Sequence, residues 1–299
     1  MIIKKDFVPR NRFGKYISAF HQLDHQIAIF YFLCKYFPVQ IVQNVLMWLD
    51  VMATYRLRCD GKLGALFKFT ACSDVVRVQE VCLDPETGKI LRDGDVRAEV
   101  TNTLCPNATY YNTPKGYKAC MVEKELINSR CDVIYAGKSC FFGQAQCFDH
   151  AGYDRPYGVV KHIVSAIILN ICGYKDKNSP IWLATGGSNF TDCDLSNIDI
   201  LKFFQYGKKM ILFPGAGLYD KSKEIEQLIR SKGIDVRISH FMENAKYEGK
   251  QSGDDISDYI ISEIKRGIPY KEAYEEALDR YSLSLDWFSE MVENNGSLK

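Results

Sequence analysis

Two glycine-bearing loops are the segments of this sequence best suited to binding a charged ligand. The first, T-G-G-S-N, spans residues 185–189, and the second, P-G-A-G, spans residues 214–217. Each follows a short apolar run and precedes a helical pattern, and backbone amides at the N-terminus of a helix bind anions. The loops therefore predict a phosphate site, although a tight strand-to-helix turn also requires glycine when nothing is bound. The residues predicted for this site are Thr185, Gly186, Gly187, Ser188, Gly215 and Gly217.

The second loop continues into a segment that partly matches a phosphate-binding P-loop. Residues 215–222 read G-A-G-L-Y-D-K-S, and the P-loop pattern is G-x-x-x-x-G-K-S/T. Lys221 and Ser222 fall in register with that pattern. Asp220 replaces the second glycine, however, and would bring a carboxylate next to the phosphates. We therefore do not expect a working P-loop.

Acidic residues near the same loops are candidate metal ligands, because Mg²⁺ prefers hard oxygen atoms. For Asp254 and Asp255 we favour the alternative that they cap the following helix, a role that aspartate fills well. The histidines form no recognisable catalytic triad or metal motif, and the eleven cysteines include no C-x-x-C pair, which favours free buried thiols over a zinc site. The acids considered are Asp192, Asp194, Asp220, Glu243, Asp254, Asp255 and Asp258, and the histidines are His21, His25, His150, His162 and His240.

Aromatic and basic side chains lie close together in the N-terminal half. Such a pattern is able to form a stacking surface for single-stranded nucleic acid. Alternating aromatic residues are also typical of the core face of a sheet, and we favour that interpretation. The residues concerned are Tyr55, Arg56, Arg58, Phe67, Lys68 and Phe69.

The C-terminal half repeats a strand, loop and helix pattern. Short, uniformly apolar strands that alternate with helices predict an α/β domain built on a parallel sheet with both faces covered. Ligands of such sheets bind beyond the carboxyl ends of the strands, where both glycine loops fall. We predict strands at 157–160, 181–184, 210–213 and 234–239, and helices at 162–171, 195–204, 221–232, 255–266 and 271–281.

The N-terminal half has a different organisation. Residues 22–37 are apolar enough for a buried helix, and Pro38 suits the start of a second helix. Period-two alternation between residues 55 and 83, with turn signals at 60–61 and 84–89, predicts an antiparallel meander. We therefore expect an α+β domain over residues 1–150 and an α/β domain with C-terminal helices over residues 151–299.

Composition limits the class of protein. The 299 residues include 38 Lys+Arg and 37 Asp+Glu, with 46% hydrophobic residues. These values exclude a disordered, collagen-like or disulfide-scaffold chain, and they give no global basic excess. The N-terminus lacks the apolar region of a secretory signal, and the longest apolar run, Ile27–Cys34, is well short of the ~18 residues that span a bilayer. We expect a cytoplasmic protein without a membrane segment.

Several short segments, in order along the chain, resemble a Toprim-related, primase-like family of bacterial mobile elements. The likeness covers about residues 45–265 and includes the meander at 55–89, which ends in T-G-K. The most similar segment is I-W-L-A-T-G-G at 181–187. The others are C-F-F-G at 140–143, Y-G-V-V-K-H-I-V-S-A-I-I at 157–168, K-M-I-L-F-P-G-A-G at 209–217 and D-D-I-S-D-Y at 254–259.

The resemblance implies a Toprim-like sheet in the C-terminal half with an altered acidic site. In intact Toprim domains a Glu after the first strand acts in acid/base chemistry, and Asp residues after a later strand hold magnesium. Lys161 and Ile163 stand at the first two acidic positions here, and Gly215 stands at the Asp of the F-P-D segment. A lysine reverses the local charge, so the resemblance implies no cofactor, with magnesium expected only if the acidic site were intact.

The favoured function is therefore that of a non-catalytic, Toprim-like accessory in the replication or transfer of a mobile genetic element. Its expected partners are DNA or RNA and replication or transfer proteins, with Lys161, Lys208 and Lys209 on the phosphates. One alternative is a nucleotide- or phosphate-binding enzyme that uses the loops at 185–189 and 214–217. Another is an interaction module that pairs through apolar helices, including Trp287 and Phe288. The sequence specifies neither a reaction nor an oligomeric state.

Overall fold

The computed structural model describes residues 3–5, 26–59, 61–71, 74–81, 83–90, 111–112, 118–120, 133–135, 141–148, 155–186 and 209–279. The chain divides into two compact units, Met1–His150 and Ala151–Lys299. The predicted helix at 195–204 and the predicted site residues Gly187, Ser188 and Lys208 lie outside the described residues. Trp287 and Phe288 lie outside them as well.

The first unit contains two helices followed by an antiparallel sheet, which confirms the predicted meander. Among the described residues, five strands pair in the order β2-β3-β4-β6-β5, and β1 pairs with β7 in parallel, a contact that the sequence did not predict. The elements are β1 (Ile3–Lys5), α1 (Ala28–Leu33), α2 (Val39–Trp48), β2 (Met52–Cys59), β3 (Lys62–Ala71), β4 (Asp74–Val81), β5 (Tyr111–Asn112), β6 (Lys118–Cys120), β7 (Val133–Tyr135) and a 3-10 helix at Gln144–Phe148.

The turn after β4 forms as its sequence predicts. The Asp84 carboxylate accepts hydrogen bonds from the amides of Glu86 (2.7 Å) and Thr87 (3.1 Å). These two bonds lower the pKa of the Asp84 carboxyl, because they stabilise its charged form. The amide of Gly88 closes the turn on the Asp84 carbonyl at 2.8 Å. This is the Asx turn expected of an Asp at the first turn position.

The aromatic residues of β3 lie in the core. Phe67 and Phe69 are both fully buried, and each packs edge-to-face on Phe142, with ring centroids 5.6 Å and 6.0 Å apart. Lys68 points to the other face of the strand, yet it too is buried, and its ammonium pairs with the Asp50 carboxylate. These three residues therefore offer no stacking surface. The side chains of Tyr55, Arg56 and Arg58 lie outside the described part of the structure.

The second unit contains the predicted parallel sheet. Four strands pair in the order β11-β10-β8-β9 within the described residues, and all three pairings are parallel. No helix among the described residues is both long and apolar enough to cross a membrane. The elements are β8 (Tyr157–Val160), α3 (Ile163–Cys172), β9 (Ile181–Ala184), β10 (Met210–Leu212), α4 (Tyr219–Ser231), β11 (Val236–Ile238), α5 (Phe241–Asn244), α6 (Ile256–Lys265) and α7 (Tyr270–Asp279).

The indole of Trp182 lies at the centre of the core of this unit. Its ring packs edge-to-face on Phe213, with centroids 4.8 Å apart, and its Nε1 donates to the hydroxyl of Tyr274 at 2.8 Å. The Asn170 side chain on α3 bonds to both the amide and the carbonyl of Trp182. These contacts satisfy the buried amide, carbonyl and indole N–H of Trp182 and connect α3 to β9.

The expectation of free buried thiols is confirmed for Cys147 and Cys172, whereas Cys34 is a free thiol that is only partly buried. Cys34, Cys147 and Cys172 are free thiols. Burial raises the pKa of Cys34 to about 11 and raises that of Cys172 as well. Since the thiolate is the reactive form, a raised pKa lowers the reactivity of both thiols at neutral pH.

Candidate functional site

The strand order places the candidate site between the ends of β8 and β10. From β8 the chain moves to β9 on one side, and the next connection returns past β8 to β10 on the other side. A crevice forms at such a switch point, beyond the carboxyl ends of the two strands, and it is the usual ligand position in open α/β sheets. Lys161 directly follows β8, and the loop at 214–217 follows β10.

Lys161 fills this position from inside the protein. The residue is only 5% exposed, and its ammonium donates a hydrogen bond to the carbonyl oxygen of Gly253. Its Nζ lies 2.9 Å from the point that a Cβ on Gly215 would occupy. The positive charge is thus held at the switch point and is not presented at the surface.

Gly215 faces backbone atoms that leave no room for a side chain. A Cβ there would come within 2.9 Å of the carbonyl oxygens of both Gly253 and Asp254. Two backbone hydrogen bonds hold the 253–254 segment against the loop at 214–217. The Ala216 amide donates to the Asp254 carbonyl (2.7 Å), and the Gly253 amide donates to the Ala216 carbonyl (2.8 Å). The segment at 253–254 therefore occupies the space that an acidic side chain at position 215 would need.

Asp255 caps helix α6, as predicted. Its Oδ1 accepts from the amide (3.0 Å) and hydroxyl (2.6 Å) of Ser257, while its own amide donates to Asp258 at 2.8 Å, which completes a capping box. The hydroxyl of Ser165, on α3, donates to the second oxygen of the same carboxylate. Asp255 is 1% exposed, and these hydrogen bonds satisfy both of its carboxyl oxygens inside the fold.

Asp254 does not cap α6, so the prediction that both acids cap this helix is wrong for Asp254. Its Oδ2 accepts from the amide of Gln251 and the hydroxyl of Tyr247, both at 2.8 Å. Burial and this nearby carboxylate raise the pKa of the Tyr247 phenol. Both acids next to Lys161 thus stabilise the 251–258 segment. Among the described residues, no group of three or more His, Cys, Asp or Glu side chains is arranged to hold a metal ion.

The first glycine loop is tied to the end of β8. Thr185 is fully buried, and its hydroxyl donates to the Lys161 carbonyl at 3.3 Å. The Gly186 amide donates to the same carbonyl at 3.0 Å. Thr185 and Gly186 therefore lie next to Lys161, as the sequence analysis expects of residues that follow neighbouring parallel strands.

The second glycine loop already holds an anionic group. The Glu243 carboxylate, from α5, accepts hydrogen bonds from the amides of Gly217 (2.8 Å) and Tyr219 (3.2 Å). These are amides at the start of α4, where a negative charge is stabilised. No local pattern predicts this contact, because the carboxylate lies 26 residues from Gly217 along the chain.

The P-loop-like segment does not adopt a phosphate-binding arrangement. The Ser222 hydroxyl, which a P-loop would direct to a metal ion, donates instead to the Leu218 carbonyl at 2.9 Å. Asp220 is almost fully exposed and lies 3.8 Å from Lys223. The sequence expectation that residues 215–222 do not form a working P-loop agrees with these contacts.

The structure separates Lys209 from the other predicted phosphate ligands that it describes. Lys209 precedes β10, and its carbonyl accepts from the amide of Tyr157, the first residue of β8. Because the strands are parallel, this is the amino edge of the sheet, whereas Lys161 and Gly215 lie at the carboxyl edge. A single phosphate group cannot contact both ends, since a three-residue strand is about 10 Å long.

The Glu243 contact gives a direct prediction. Replacing Glu243 with alanine leaves two helix N-terminal amides without an internal acceptor, so we expect a loss of about 1 kcal/mol in the free energy of unfolding. Glu248→Ala, a change at another exposed acid a few residues away, is the matched control and should have no effect. Urea denaturation followed by circular dichroism measures both. Equal stability of the two variants would contradict the capping role.

Comparison with known proteins adds no relative. No protein-family model, curated protein or solved structure gives a significant match to this chain. The resemblance to Toprim-related proteins therefore rests on the short motifs quoted above, and the fold that the structure shows is a parallel α/β unit that follows an antiparallel one.

Proposed function

We propose that the second unit is a Toprim-like domain that does not perform metal-dependent phosphoryl transfer. The observation that carries the proposal is the buried Lys161 ammonium at the switch point of the sheet. A fixed positive charge repels a divalent cation, and it stands at the position where the family resemblance implies an acidic residue.

The packing around Gly215 supports the same proposal. The resemblance implies a metal-binding Asp at this position, and here the carbonyl oxygens of Gly253 and Asp254 fill the space that its side chain would take. Glycine at position 215 removes a ligand for a metal ion, and lysine at position 161 supplies a positive charge in its place. The two differences from the family pattern are therefore consistent with each other.

We further propose that the protein is a cytoplasmic, nucleic-acid-associated accessory in the replication or transfer of a mobile genetic element. Support for this step comes from the ordered motif resemblance alone. Lys161 is engaged inside the fold, so it stabilises the domain and the phosphate contacts come from other basic residues. Lys209, at the amino edge of the sheet, stays a candidate for that role.

The alternative of a phosphate-binding enzyme is constrained by Glu243. In the loop at 214–217, the amides of Gly217 and Tyr219 already bind that carboxylate, and a phosphate would have to displace it. A thermal-shift panel of nucleotides, with and without Mg²⁺, tests this alternative. We expect no ligand in the panel to raise the melting temperature, and a clear rise would favour the enzyme.

Binding to nucleic acid at graded salt concentrations tests the proposed function. Labelled single-stranded DNA, duplex DNA and RNA are titrated with the full chain in the presence of either MgCl₂ or EDTA. We expect binding at low salt that weakens as salt rises, because phosphate contacts release counterions. We also expect EDTA to leave the affinity unchanged. Absence of binding to all three probes at low salt, or loss of binding in EDTA, would contradict the proposal.

A further inference from the structure

The amino edge of the parallel sheet, opposite the candidate site, carries an excess of positive charge. Among the described residues, the segments that lead into its four strands contain five basic and two acidic side chains, a net charge of +3. At the carboxyl edge, by contrast, the Lys161 ammonium is buried. The segments are 155–156, 173–180, 209 and 232–235, the basic residues are Arg155, Lys175, Lys177, Lys209 and Lys232, and the acidic residues are Asp176 and Asp235.

The loop at 173–180, which leads from α3 into β9, is held by contacts within the fold. Ser179 is 1% exposed, and Arg155 Nε donates to its carbonyl at 2.7 Å. Inside the loop, the Asp176 carboxylate accepts from the amide of Asn178 at 2.9 Å, so this acid is directed to the backbone of its own turn. These contacts fix the loop, and the side chains that it exposes are therefore presented in a defined arrangement.

Two lysines of this loop are exposed to water, Lys175 and Lys177. Lys175 has a φ of +63°, in the left-handed region that glycine and asparagine tolerate better than other residues. Its ammonium lies 5.5 Å from the ring centroid of Tyr174, a weak contact at an exposed site. A long charged side chain at a strained backbone position points to a role for that side chain outside the packing of the fold.

Ammonium groups on a rigid edge suit the phosphates of a nucleic-acid backbone. Lysine binds phosphate as a point charge, so the contact does not depend on the base sequence. The four strands β9, β8, β10 and β11 lie side by side, which makes the edge about 14 Å wide. Since successive nucleotides of one duplex strand rise about 3.4 Å along the axis, the edge spans about four of them.

We propose that the amino edge of the parallel sheet binds the backbone of nucleic acid, with Lys175 and Lys177 each contacting a phosphate. The inference rests on the proposed function, and it assigns a binding surface and a sequence-independent mode of contact. The other basic residues of the edge add to its positive charge. Sequence analysis did not single out these two lysines, because they lie in a short loop without a recognisable motif.

Fluorescence anisotropy with the full chain at graded KCl concentrations tests the surface. Labelled single-stranded DNA, duplex DNA and RNA are titrated with the wild type, Lys175→Asn, Lys177→Gln and the double variant. Each single variant should lower the slope of log K against log salt by about 0.7 on single strands and about 0.9 on a duplex. These slopes correspond to a loss of about 5- to 8-fold in affinity at 0.1 M salt. Lys175→Asn should not lower the melting temperature, because asparagine tolerates a positive φ.

Lys246→Gln is the matched control, because it removes the same charge from an exposed lysine two residues after α5, whose Glu243 contacts the loop at the carboxyl edge. It should leave the salt slope unchanged. If Lys175→Asn lowers the melting temperature strongly, the slope of Lys177→Gln decides the result. Wild-type binding that both lysine variants retain, or an equal loss with Lys246→Gln, would overturn this surface and leave the proposed function standing. No binding by the wild type would overturn both.

Discussion

The Gly215→Asp variant is expected to lose about 3 kcal/mol in the free energy of unfolding and to gain no affinity for Mg²⁺. The new Cβ would lie 2.9 Å from the carbonyl oxygens of Gly253 and Asp254, so the backbone must move and strain its hydrogen bonds to Ala216. The carboxylate would also face the Lys161 ammonium, which neutralises it and leaves no net negative charge for a divalent cation. Urea denaturation with and without MgCl₂ measures both effects.

Two alanine variants separate steric strain from charge. Gly215→Ala adds the same Cβ without a carboxylate, and we expect it to account for most of the loss. Gly233→Ala is the matched control, since a Cβ there meets nothing within 4 Å and the only penalty is its φ of +78°, about 1–2 kcal/mol. A Gly215→Ala protein as stable as the wild type, or stabilisation of Gly215→Asp by Mg²⁺, would show that the space is open.

The parallel sheet could be predicted from sequence because its strands are short and uniformly apolar and alternate with helical patterns. The predicted ranges 157–160 and 181–184 coincide with β8 and β9. Pro156 and Pro180 precede these strands and Gly186 follows β9, and both faces of the sheet are covered, so the pattern is continuous and not alternating. The local residue pattern therefore predicts these strands without any knowledge of contacts between distant residues.

The contacts within the candidate site could not be predicted, because residues far apart in sequence make them. Lys161 reaches the Gly253 carbonyl across 92 residues, and Glu243 reaches Gly217 across 26. Spacing along the chain carries no record of these pairings. The sequence also grouped Lys209 with Lys161 as residues near strand ends, without separating the start of β10 from the end of β8. Parallel geometry puts these positions at opposite edges.

Under the proposed function, Lys161 and Gly215 form one structural adaptation. The Lys161 side chain places an ammonium at the switch point, beyond the ends of β8 and β10. Because Gly215 has no side chain, the 253–254 backbone is able to approach that ammonium. That backbone leads directly into Asp255, which caps α6 and bonds to α3 through Ser165. The ammonium thus helps to hold the segment that positions Asp255. We therefore expect its removal to destabilise the second unit as a whole.

Lys161→Ala is expected to lower the free energy of unfolding by about 2–4 kcal/mol. The change opens a cavity where the buried lysine stem lay and removes the hydrogen-bond donor of the Gly253 carbonyl. Lys161→Met retains most of the stem volume and removes only the ammonium, so we expect a smaller loss of about 1–2 kcal/mol. Urea denaturation of the three proteins measures the cavity and the hydrogen-bond contributions separately.

Chemical rescue distinguishes an ammonium site from simple packing. Propylammonium fits the cavity of Lys161→Ala and supplies a donor to Gly253, so it should raise the melting temperature of this variant. It should not raise that of Lys161→Met, whose side chain fills the cavity. Potassium chloride at equal concentration controls for ionic strength, and MgCl₂ tests whether a divalent cation serves equally well. Equal changes in the melting temperatures of both variants on adding propylammonium would show that the charge at position 161 is dispensable. An increase in the melting temperature of Lys161→Ala with MgCl₂ would show that the position accepts a metal ion.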